Sequence, residues 1–232
     1  MNEESKNETK TTRAYGELRS QIHSVKGSDI IKETEKLQQE ENYVHSVWLK
    51  KLSFKIALIS MFIALSVVLA YILAPFPNIE LFTLSIFLGG FILGKKEGLF
   101  IGISSSLIFV FLNPYGVSPL PLLTYQIIHY SFTGLAGALT HSLIKDRSFF
   151  HPNDLYSISI MILFGFIGAI ITFAYDLISS LIGTITIYGT LEAFIPYFLS
   201  GVIFTTIHEI GNILGFVFIL PGLIQVVYKI LY

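Results

Sequence analysis

The sequence predicts an all-α, polytopic membrane protein: a six-helix bundle with both termini cytoplasmic, preceded by a polar N-terminal extension. Three observations carry that expectation. Charge is split along the chain, because the first 52 of 232 residues hold nine of the 15 Lys and Arg and nine of the 16 Asp and Glu. The other 180 residues fall far below the roughly one-quarter charged composition of a water-soluble globule and cannot cover a soluble surface. Six apolar runs then follow one another, and basic residues occupy only alternate connections between them. Residues 1–52 read as a cytosolic extension, partly helical or disordered, and 53–232 as the membrane domain.

Composition excludes several function classes. The formal net charge is −1 with no basic patch, so nucleic acid is not an expected partner. The chain has no cysteine, which removes disulfide scaffolds, thiolate metal sites, iron–sulfur clusters and Cys nucleophiles. No cofactor is expected.

The stretch from Met1 to Lys26 is polar throughout and lacks the apolar core of a secretory signal. Ser28-Asp29-Ile30-Ile31-Lys32-Glu33 has the capping side chain and early acids of a helix start. Ile30, Leu37 and Val44 recur at heptad spacing, too briefly for a coiled coil, so a solvated helix leading into the membrane is expected. Trp48 followed by Lys50, Lys51 and Lys55 suits an anchor at cytoplasmic headgroups.

The apolar runs lie at 54–74, 80–94, 98–112, 120–144, 156–183 and 193–221. Joining the second and third would bury Lys95, Lys96 and Glu97 at mid-membrane, at about 2.5–3.5 kcal/mol for each Lys. Two short helices linked by a tight Gly94-Lys95-Lys96-Glu97-Gly98 turn cost less. Segments 75–79, 113–119 and 184–192 contain no Lys or Arg, which assigns that face to the exterior. Proline and glycine concentrate there, in Pro75-Phe76-Pro77-Asn78 and in Asn113-Pro114-Tyr115-Gly116, as in defined turns.

Ionisable groups inside a membrane segment are costly and face a cavity or a partner. The candidates are Gln126, His129, Asp176, His208 and Glu209, with Asn212 beside them. Gln126, His129, Tyr130 and Thr133 share one helical face, as do His208 and Asn212. Asp176 lies seven residues from the end of its run, roughly 10 Å deep. Two readings fit: a ligand pocket opening outward, or polar side chains satisfying one another between helices. For His208, the deeper residue, the structural reading is favoured.

Two motifs fail on inspection. Gly89-Gly90-Phe91-Ile92-Leu93-Gly94-Lys95-Lys96 resembles a P-loop, but Lys96 replaces its Mg²⁺-binding hydroxyl residue and the stretch ends a membrane helix. His208-Glu209-x-x-Asn212 lacks the second His of a zinc protease signature. Neither ATP hydrolysis nor a metal site is expected. Small residues mark close helix contacts at Ser60-x-x-x-Ala64, Ser66-x-x-x-Ala70, Gly98-x-x-x-Gly102 and Gly211-x-x-x-Gly215.

Taken together, residues 53–232 resemble the S components of energy-coupling factor (ECF) transporters. The stretches that carry the likeness are Pro75-Phe76-Pro77-Asn78-Ile79-Glu80, Phe87-Leu88-Gly89-Gly90-Phe91-Ile92-Leu93-Gly94, Asn113-Pro114-Tyr115-Gly116, Tyr175-Asp176-Leu177 and His208-Glu209-Ile210-Gly211-Asn212. The resemblance implies a non-enzymatic subunit of the plasma membrane that captures a small water-soluble vitamin or precursor from outside. It would deliver that cargo with a membrane coupling protein and two ATPase subunits. It implies substrate contacts at Asn78, Asn113, Tyr115, Gln126, His129, Tyr130, Asp176 and Tyr188, with His208 and Asn212 as further candidates. Ser60 and Ala64 would dock the coupling protein, Ser60 standing where the family's motif has Ala. The competing readings are an intramembrane enzyme using His208 and Glu209, and a membrane scaffold recruiting a partner through residues 1–52.

Overall fold

The structure, a computed structural model, describes residues 47–113, 116–147, 149–152 and 154–231. The expected helix start at Ser28, the heptad residues and Tyr115 lie outside the described residues. Residues Trp48–Leu231 form one compact unit. Among the described residues it is all-helical, with one isolated bridge between His151 and Asp154 and no strand.

After a single helical turn at Val47–Lys50, seven helices follow. They are α1 (Leu52–Leu73), α2 (Phe82–Leu93), α3 (Lys95–Phe111), α4 (Leu120–Ile144), α5 (Ile158–Tyr188), the short α6 (Phe194–Ser200) and α7 (Val202–Leu231). The six apolar runs therefore all become helices. Three of these, α1, α5 and α7, are long and apolar enough to cross a membrane, and α2 is a shorter apolar helix. Their exposed faces are apolar as well: Met61, Leu65 and Val68 on α1, Phe166 and Ile170 on α5, and Ile203 and Ile210 on α7. Such faces are compatible with a membrane location.

Local chemistry sets the breaks. The tight turn between α2 and α3 is a single residue, Gly94, at φ 104°, a conformation that a side chain disfavours. Pro121 sits in the first turn of α4, where no amide hydrogen is needed. Gly189 ends α5 in the left-handed conformation. In α7 a π-helical turn at Gly215–Ile219 carries the chain on to Leu231, well past the expected end at 221.

The middle of the bundle is a glycine contact among α2, α3 and α4. A Cβ at Gly90 would meet the Gly134 carbonyl, one at Gly134 would meet the Gly98 carbonyl, and one at Gly102 would meet the Tyr130 carbonyl. Backbones touch there with no side chain between them. All twelve residues of α2 are buried, so this short apolar helix is also the central one. The Gly98-x-x-x-Gly102 motif thus packs within the chain. On α1, Ser66 and Ala70 face inward and are buried, whereas Ser60 and Ala64 are exposed.

The two ends of the bundle differ in charge. One end gathers Lys55, ion-paired to Glu97, and the joined tips of α4 and α7, where the Tyr228 hydroxyl lies 2.8 Å from His141 Nε2. Lys95, Lys96, Lys145, Arg147 and Lys229 fall in the connections and helix tips of that end. At the other end the Tyr71 hydroxyl donates to the Leu112 carbonyl and the Asn78 amide donates to the Phe204 carbonyl at 3.1 Å.

Candidate functional site

α7 is inside-out between Val202 and Leu214. Its buried residues there are polar, His208 and Asn212, while Ile203, Phe204, Ile207, Ile210 and Leu214 are exposed. Spacing of i and i+4 puts the two polar side chains on one inward face. On α5 the same spacing aligns buried Thr172 and Asp176. These faces meet: His208 Nδ1 lies 2.9 Å from Asp176 Oδ1 and 3.1 Å from Oδ2. The side chains are 8% and 9% exposed, so the pair is largely removed from water.

The other ring nitrogen points to a third element. His208 Nε2 lies 3.4 Å from Glu80 Oε1, and the Asn212 amide donates to the same oxygen at 3.3 Å. Glu80 precedes α2 and also accepts the Thr83 amide at 3.3 Å and the Thr83 hydroxyl. One carboxylate thereby satisfies an orphan N–H at the helix start and ties α2 to α7. A carboxylate thus faces each ring nitrogen of His208. Two carboxylates share a single imidazole.

Beside this cluster opens a cavity of about 470 Å³, within the ~300–1,000 Å³ span of small-molecule sites. Its walls are Ala70, Leu73 and Ala74 of α1 and the following turn, Phe76 to Glu80, Phe82, Phe109, Tyr130, Tyr175, Asp176 and His208. The aromatic side is ordered by ring contacts, with Phe82 edge-on to Tyr130 at 4.7 Å and Tyr130 5.7 Å from Tyr175. Among the described residues, the cavity lies at the end of the bundle remote from Lys55, Lys95, Lys96, Lys145, Arg147 and Lys229.

Comparisons with family models, curated proteins and solved structures find no match. Function must therefore be argued from the site.

Of the residues singled out in the sequence, Asn78, Tyr130, Asp176 and His208 line the cavity. Asn212 stands behind Glu80, as described above. Gln126 donates to the Tyr175 hydroxyl at 3.0 Å and so braces a wall residue. His129 does not line the cavity; its ring packs 5.0 Å from Tyr175 and 5.3 Å from Tyr130. Asn113 follows the C-cap of α3, Leu112, and is outside the lining, and Tyr115 is not among the described residues. Tyr188 is not brought in: it is 56% exposed and packs on Tyr197, 12 residues along α5 from Asp176, roughly 18 Å. Asp176 is deeper from its helix end than the apolar run implied, because α5 continues to Tyr188.

His208 spans two carboxylates from different elements and also forms part of the cavity wall. Its neighbour Glu209 does not line the cavity, and adjacent helical residues diverge by ~100°. Glu80 was missed as a site residue, although it stands in one of the stretches quoted above. The available signal was a carboxylate at the rim of an apolar run with no basic residue in the segments beside it. Among the described residues no group of three or more His, Asp or Glu side chains is arranged to hold a metal ion. Both imidazole nitrogens of His208 are already engaged by carboxylates.

Proposed function

We propose that this chain is a substrate-capture subunit of an ECF-type importer, taking a small water-soluble vitamin or precursor from the outside. The observation that carries the reading is the aromatic cavity with Glu80, Asp176 and His208 in its wall, at the end of the bundle remote from every basic connection. Positive-inside asymmetry supports this reading, with that end outside and both termini in the cytoplasm of a plasma-membrane protein. Six crossings follow if the 12 residues of α2, roughly 18 Å, are completed by the turn that leads into it.

In this reading the chain performs no catalysis. A membrane coupling protein and two ATPase subunits supply the energy, and the exposed Ser60 and Ala64 on α1 offer a close-packing face for the coupling protein. The rival enzyme would need His208 and Glu209 to act on one substrate, and Glu209 is not in the cavity wall.

The test is a thermal-shift panel of water-soluble vitamins and their precursors on the purified full chain, with mass spectrometry of co-purified small molecules. At least one compound should stabilise the protein, and Asp176→Asn should weaken its binding tenfold or more. A silent panel together with an empty mass spectrum refutes the proposal.

A further inference from the structure

Charge in the cavity wall does not balance. Glu80 and Asp176 both reach it, and a single imidazole stands between them. Among the described residues no Lys or Arg lines the cavity. The segments on that side, 75–79, 113–119 and 184–192, contain none either. Burial in an apolar setting magnifies such a surplus, because neither water nor salt screens it fully. The rest of the wall has the matching chemistry. Phe82, Phe109, Tyr130 and Tyr175 present aromatic rings, whose faces attract cations and stack on flat rings.

Building on the capture reading above, we infer that the occupant is an organic cation: a flat nitrogen heterocycle carrying a protonated or alkylated nitrogen. Its positive centre sits against Glu80 and Asp176, and its ring lies on the aromatic wall. An anionic substrate would face the surplus carboxylate with no basic side chain to receive it. A neutral ring would gain the stacking and leave the charge uncompensated.

Three probes of one shape and different charge test this: N-methylquinolinium, quinoline and quinoline-2-carboxylate. Each is titrated into the purified full chain at pH 8 by isothermal calorimetry, at concentrations up to millimolar. The cation should bind at least tenfold more tightly than quinoline, and the carboxylate should give no heat of binding. Glu80→Gln should bring the cation's affinity close to that of quinoline. Ala70→Phe, which fills the cavity, should abolish binding of the cation. If quinoline or its carboxylate binds as tightly as the cation, the inference is overturned while the capture reading stands. If none of the three binds, the inference is likewise overturned, and the capture reading stands or falls on the vitamin panel described above.

Discussion

Replacing His208 by Gln should destabilise the protein, and a second substitution in its partner should partly restore it. In the native structure the imidazole lies 2.9 Å from Asp176 and 3.4 Å from Glu80 in a nearly dry setting. His208→Gln leaves two carboxylates facing a neutral amide. Removing one partner of a buried ion pair costs ~3–5 kcal/mol, most of it from the charge left uncompensated. At about 2–4 °C per kcal/mol for a chain of this size, the midpoint falls by roughly 6–20 °C. Asp176→Asn is milder, because the imidazole keeps Glu80; losing one charged hydrogen bond costs ~1.5–3 kcal/mol. In the double variant, His208→Gln with Asp176→Asn, one surplus charge disappears along with the cation. The double should therefore be more stable than His208→Gln alone, which requires a favourable coupling larger than the ~1.5–3 kcal/mol that Asp176→Asn costs by itself. Thermal unfolding of the four proteins in one detergent supplies the cycle. Strict additivity, with the double less stable than either single, would show that the three side chains do not form the charge cluster described.

Three further outcomes follow from the packing. Gly134→Val should lower stability by at least ~1–3 kcal/mol, because the new side chain meets the backbone carbonyl of Gly98 and no rotamer escapes it; Gly211→Ala, whose nearest outside atom is 4.0 Å from the new Cβ, should be neutral or stabilising in the same melt. Ser60→Leu with Ala64→Leu should change stability by no more than ~0.5 kcal/mol, since both positions are exposed, yet abolish co-purification of the coupling protein proposed above. Retained co-purification would remove α1 as the docking face.

Helix positions were legible because the apolar runs are bounded by proline, glycine or charge. The α2–α3 break was legible for the same reason, as Lys95, Lys96 and Glu97 have no cheap place in mid-membrane. The extent of α5 was not. Its last turns hold Thr184 and Thr186, which break the apolar run but donate their hydroxyls to the Ser180 and Ile182 carbonyls at 2.8 Å and stay helical. That hidden turn moved Tyr188 away from the site. Glu80 was illegible as a partner for a different reason: His208 is 128 residues away, and no periodicity within one helix reports such a contact. The stripe on α4 was real, but it divides between roles. Tyr130 reaches the cavity, while Gln126 and His129 support the Tyr175 ring from behind.

The cavity has its origin in the length of α2. A 12-residue helix rises roughly 18 Å, whereas α1, α5 and α7 are 22, 31 and 30 residues long. Longer neighbours standing around a short central helix leave unfilled space above its first turn. Glycine contacts hold α2 low in that position, since Gly90 and Gly98 fix it against Gly134 with no side chain to take up a shift. The turn from Ala74 to Leu81 must then cross the gap, and its residues become wall and rim together. Asp176 and His208 face that gap from the inward sides of α5 and α7, and Asn212 stands behind Glu80 on the same inward face of α7. Glu80 closes the circle by starting α2 and capping the charge cluster with the same carboxylate. Site and scaffold are thus coupled: any change that lengthened α2 at its first turn would move Glu80 off His208 and fill the recess in one step.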